Sequence, residues 1–209
     1  TADELGRAFP QVRVLQSWGG HLVAEVGPEP ALVLATPGAE PVAERGYAAA
    51  ILMDTSLLLG RPDLRAAEEA LRRWLGVCAL VRPGSEQGTV MAVGEPDARA
   101  LQALIRLDAP GSAARELAER AATRFPPAAR LVRFDGPRAA LDEAEAAWRP
   151  VPGAEHFGPT PLEEEGAWRL TVRVPPAHGD DLVSGLKQVV ADRLSRKAPG
   201  SLRLQVDPW

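Results

Sequence analysis

Two adjacent prolines constrain this chain more than any other feature. Pro126 and Pro127 follow a helical pattern that runs to Arg124, and neither can donate the amide hydrogen bond that would carry a helix on. They place a domain boundary there, giving domains 1-124 and 125-209. Beyond it the pattern reads strand 130–134, helix 137–148, short strand 155–157, strand 168–174, helix 179–196 and strand 202–206. That order is βαββαβ, a split βαβ domain with two helices on one face of an antiparallel sheet.

The first segment has another rhythm. Runs 12–15, 32–35 and 49–53 are short, apolar and bounded by Gly and Pro, as buried strands of an α/β sheet are. Gly19-Gly20 predicts a hairpin over 18–26. A helix is expected from Asp63, whose carboxylate caps it, with Leu64, Ala67, Leu71, Trp74, Leu75 and Cys78 at helical spacing. Strand 88–93 and helices 97–107 and 112–124 complete the segment. The helical pattern that opens at Thr1 makes the chain read as a piece of something longer.

Charge excludes a generally basic nucleic-acid binder, because 24 basic and 28 acidic residues leave a net charge of −4. Any DNA contact must come from a local patch. The single cysteine, Cys78, excludes an internal disulfide or a cysteine cluster for zinc and reads as packing. His21, His156 and His178 are far apart, so no metal site is expected, and no serine, histidine and acid arrangement supplies a catalytic residue. No apolar run approaches the roughly 18 residues of a membrane span, and the start lacks a signal-peptide pattern, so the expected location is cytoplasmic. Trp209 is a candidate for base stacking.

Several segments, taken in order, resemble the primosomal protein N′ (PriA) family of replication-restart proteins. Asp3-Glu4-Leu5 with Phe9-Pro10 is similar to that family's "EEL…FP", and Leu32-Val33-Leu34-Ala35-Thr36 to its "ILVGTQ". Asp63-Leu64-Arg65-Ala66-Ala67-Glu68 resembles "DFRAAE", Gln87-Gly88 resembles the start of "QGEVV", and Glu116-Leu117, Arg120 and Pro126-Pro127 resemble "EL…R…PP". Gly158-Pro159-Thr160-Pro161 resembles "GPVP", and Val206-Asp207-Pro208 resembles the end of "DVDP". The resemblance implies a partial, degenerate second RecA-like helicase lobe over 1-124 and the family's C-terminal domain over 125-209. It also implies branched DNA at replication forks, primosome and helicase-loading proteins and single-stranded-DNA-binding protein as partners, and a nucleoid-associated location. Zinc and ATP are bound in the family through upstream regions, so no cofactor is expected within this chain.

The departures from the family carry the functional expectation. Its sixth helicase motif brings two arginines to the nucleotide, and here those positions hold Leu80 and Pro83, with Arg82 one residue out of place. In the fifth motif Thr36 remains, but Pro37 stands for the glutamine and Pro41 lies near the lysine position. Thr36, Leu80, Arg82 and Pro83 therefore mark a degenerate nucleotide site, and a fork-binding scaffold without ATPase activity is the expected function. An active ATP-dependent 3′-5′ DNA helicase with a rewired site, or a structural or protein-binding fragment, stay open as alternatives. Arg193, Arg196, Lys197 and Arg203 are the candidate DNA contacts. The tail of single-stranded-DNA-binding protein is expected to dock weakly, because His178, Asp180, Asp181 and Leu182 stand where the family has basic and amide groups.

Overall fold

The computed structural model describes residues 2–149 and 151–208. It separates into two compact units, Thr1–Ser112 and Ala113–Trp209. The division falls inside a helix, ahead of the proline pair where the sequence places it. The end of that helix is tied to the second unit. The Arg173 guanidinium donates to the carbonyls of Thr123 and Arg124 at 3.3 Å each, and buried Arg120 reaches the Pro126 carbonyl at 3.4 Å.

The first unit runs α1 (Ala2–Ala8), β1 (Arg13–Ser17), β2 (Glu25–Val26), β3 (Ala31–Ala35), β4 (Val42–Ala43), β5 (Ala49–Leu52) and α2 (Thr55–Leu59). Then come α3 (Ala66–Leu80), β6 (Thr89–Ala92), α4 (Arg99–Arg106) and the start of α5 (Ala109–Thr123). Its strands pair in parallel, as an α/β layer requires, but in three separate two-stranded sheets, β1 with β3, β2 with β4 and β5 with β6. Trp18 and His21 exchange backbone hydrogen bonds across Gly19-Gly20, so the tight turn is present. The expected hairpin does not continue from it, because β2 pairs with β4 instead.

Helix α3 organises this unit's core. Ala70, Leu71 and Trp74 recur at three and four residues and pack with Leu52 of β5 and with Ala100, Leu101, Ala103 and Leu104 of α4. Burying Leu71 and Trp74 contributes about 1.5–3 kcal/mol each. The helix starts at Ala66, later than expected, since the Asp63 carboxylate accepts the Arg65 amide at 2.8 Å and closes a turn before it. Half-buried Cys78 packs against the same core, and burial pushes its thiol pKa up.

The second unit continues with β7 (Arg130–Pro137), α6 (Arg138–Ala147), β8 (Glu155–Pro161), β9 (Ala167–Val174), α7 (Gly179–Ser195) and β10 (Arg203–Val206). The order is βαββαβ as read from the sequence, and the strands form one antiparallel sheet in the order β10-β7-β9-β8. Val132, Phe134, Leu170, Val172 and Val174 face the two helices and meet Leu141, Ala144, Trp148, Leu182, Leu186 and Val189. Strand β8 extends to Pro161 through a register shift between Phe157 and Thr160. Gly158-Pro159 lies within it, because on an edge strand a missing amide donor is tolerated.

Candidate nucleic-acid interface

Alternation along each strand puts one set of side chains on the helices and the other on the opposite side of the sheet. Register then arranges the second set in rows. Asp135 of β7 stands between Arg203 of β10 and Arg169 of β9, and Arg133 stands between Gln205 and Thr171. Leu131 is opposite Arg173, while β8 brings Phe157 opposite Thr171 and Glu155 opposite Arg173.

One carboxylate on this face serves several guanidiniums. Arg169 donates to both Asp135 oxygens at 2.8 and 2.9 Å, and Arg133 Nε lies 3.6 Å from the same carboxylate while its guanidinium meets Gln205. The hydrogen bond from Arg169, then the charges of Arg169, Arg133 and Arg203, hold the Asp135 carboxyl below the usual carboxylate range. Arg173 donates to Glu155 at 2.7 Å and lies 4.8 Å from the centre of the Phe157 ring, and its hydrogen bond likewise lowers the Glu155 pKa. Four arginines against Asp135 and Glu155 give this face two net positive charges (4 − 2), on a chain whose total is −4.

The expected DNA contacts do not form one patch. Arg193 has only 5 % of its side chain exposed, pairs with Glu143 and donates to the carbonyls of Pro199 and Gly200 at 2.7 and 3.1 Å. It closes the end of α7 onto the following turn, and its buried guanidinium is not presented to a phosphate. Arg196 is exposed but lies 3.1 Å from Glu143, and Lys197 is exposed just after the helix. Arg203 lies on the opposite side of the sheet, and no ion pair of it is found among the described residues. Sequence reasoning missed Arg133, Arg169 and Arg173, because the pairing that gathers them joins two strands, β7 and β9, that are distant in sequence; once the βαββαβ order is assumed, every second residue of 131–135 and 169–173 signals them. Trp209 lies outside the described residues.

A groove of about 630 Å³ between α6 and α7 is lined by Glu143, Asp181 and Asp192 as well as Arg149, Arg193 and Arg196. Its acids and bases balance, which makes the helix layer a poor anion surface. At the start of α7, Leu182 is buried in the core and Asp180 and Asp181 are exposed.

In the first unit, the loop after β3 does not fit a nucleotide phosphate. The Gly38 amide donates to the Glu40 carboxylate at 2.9 and 3.0 Å, so an anion of the chain already occupies it. Arg73 of α3 fastens the same loop through the Pro37 carbonyl at 2.9 Å, and with Arg72 it hydrogen-bonds Glu69, lowering that carboxyl to about 2. Thr36 donates its amide to Ser17. Leu80 and Arg82 form a backbone ladder with Tyr47, and Arg82 Nε donates to the carbonyls of Arg45 and Gly46 at 3.0 and 3.2 Å. Among the described residues no group of three or more His, Cys, Asp and Glu could hold a metal ion, and no helix is long and apolar enough to cross a membrane.

The family model described as primosomal protein N C-terminal domain matches residues 121–209, the portion that contains the whole βαββαβ unit. Over its full length the chain is 43 % identical to the probable replication restart protein PriA of Mycobacterium leprae. By these matches the chain is similar to the C-terminal part of the PriA family. It is also 41 % identical over its full length to the proteins of the same name from Mycobacterium tuberculosis H37Rv and Mycobacterium bovis. In each case it covers 34 % of the relative, at the C-terminal part. The chain thus spans about a third of the length of these PriA relatives.

Proposed function

We propose that this chain serves replication restart as the C-terminal part of a PriA-type protein that binds stalled or branched replication forks and helps assemble the primosome, without supplying an ATPase site. The observation that carries this reading is the 43 % identity to a replication restart protein across the whole chain. The absence of ATPase chemistry is supported by Leu80 and Pro83 at the family's arginine positions and by Arg82 being held on backbone carbonyls. The first unit is a remnant of a second RecA-like lobe on this reading, and zinc and ATP belong to parts of the family that the chain does not cover. Branched DNA, helicase-loading proteins and other primosome components are its partners, in the cytoplasm at the nucleoid. Single-stranded-DNA-binding protein docks weakly, because exposed Asp180 and Asp181 repel its acidic tail.

The test is a gel-shift titration of the chain on a three-way fork and on linear duplex of equal length. Tighter binding to the fork is expected. Equal affinity for the two, or no binding to either, would contradict the reading.

A further inference from the structure

We propose that the open face of the β10-β7-β9-β8 sheet is a docking surface for a single strand of DNA. The proposal rests on the fork-binding reading, since a branched fork offers unpaired strands, and it names the face and the form of DNA taken.

The charge of this face fits a polyanion. Asp135 cannot neutralise Arg133, Arg169 and Arg203 together, and Glu155 is shared between Arg173 and Arg124. Arg203 is exposed and has no ion pair among the described residues, so it meets a phosphate without breaking one. Side chains on one face recur about 5 Å apart across strands and about 7 Å apart along them, so a strand of DNA lying on the sheet passes more than one guanidinium.

The form of the DNA follows from the rest of the face. Phe157 is 46 % exposed with the Arg173 guanidinium against its ring, and its accessible side offers a plane on which an unpaired base stacks. Bases of a duplex are stacked on each other and do not reach such planes. An acidic peptide would satisfy the charge but has no use for a stacking plane. The helix side of this unit, with its balanced groove, offers neither feature.

The experiment is fluorescence anisotropy of labelled oligo-thymidylate with the full chain, repeated over a range of salt. Arg203→Ala is expected to weaken binding about tenfold, the loss of one charge-assisted hydrogen bond, and to lower the salt slope by about 0.7. Phe157→Ala is expected to weaken it at least about fivefold. Asp135→Asn removes the shared carboxylate and is expected to tighten binding, a gain that misfolding does not produce. Lys187→Glu, on the exposed side of α7, is expected to leave the affinity unchanged.

Unchanged oligo-thymidylate affinity in both Arg203→Ala and Asp135→Asn, with fork binding intact, would overturn the sheet face and leave the fork reading standing. Failure of the wild-type chain to bind either DNA would overturn both. Duplex bound as tightly as the single strand, or a Glu-rich peptide bound more tightly and released by Arg203→Ala, would also overturn the proposal, the latter by assigning the face to an acidic protein.

Discussion

Arg193 and Glu143 form an ion pair whose guanidinium is 5 % exposed while its carboxylate partner is 40 % exposed. With the Pro199 and Gly200 carbonyls as further acceptors, this arginine ties α7 to the turn that leads into β10. Arg193→Ala is expected to destabilise the second unit by about 2 kcal/mol, because it removes charge-assisted hydrogen bonds and leaves acceptors unmet. DNA affinity of the folded variant should not change. Urea unfolding and a DNA titration check both; intact stability with weakened DNA binding would return Arg193 to the list of contacts.

The Asp135–Arg169 pair makes acid stability a readout of the open face. A carboxyl whose pKa is lower in the folded than in the unfolded state contributes stability that is present above its unfolded value and lost as pH falls through its folded value. For Asp135 the loss begins near pH 4 and deepens below it. Asp135→Asn should cost about 1 kcal/mol at pH 7, and the difference from wild type should shrink toward pH 2. Urea midpoints across that range give the answer, and parallel curves for the two proteins would contradict it.

Gly94 tests the packing of the first unit. A Cβ there would lie 1.9 Å from Thr55 Oγ1, which is buried and donates to the Val93 carbonyl at 2.9 Å. Gly94→Ala should therefore destabilise this unit by about 1–3 kcal/mol. Thermal unfolding would show it as a lowered midpoint, and an unchanged midpoint would mean that α2 shifts freely.

The second unit was legible in the sequence because most of its elements have an undisturbed period, two along 130–134 and 168–174 and near 3.6 along 137–148 and 179–196, while β8, whose register shifts between Phe157 and Thr160, read short. The first unit was less so. Helix α2 is five residues long, follows Asp54 in a left-handed conformation and has no side-chain cap, so nothing local announces it. The parallel strands could be located by their apolar runs, but their partners are separated in sequence by other elements, and pairing such as that of β2 with β4 leaves no local mark. For the site, charge counting pointed to the end of α7 because basic residues cluster there in sequence. Only the structure shows that Glu143 and two carbonyls take up Arg193, and that the register of β7, β9 and β10 gathers other arginines on the far side of the sheet.

The direct test of a restart scaffold as against a motor is ATP hydrolysis by the longest native protein that carries this chain, measured with and without forked DNA. An arginine finger is worth about 10³ to 10⁵ in phosphoryl-transfer rate, and Arg82, held on the Arg45 and Gly46 carbonyls, is not free to replace it. Turnover is expected to stay far below about 1 s⁻¹, unchanged by Arg82→Ala, while fork binding persists. Fork-stimulated turnover above about 1 s⁻¹ that Arg82→Ala abolishes would make Arg82 a working finger and the protein an active helicase.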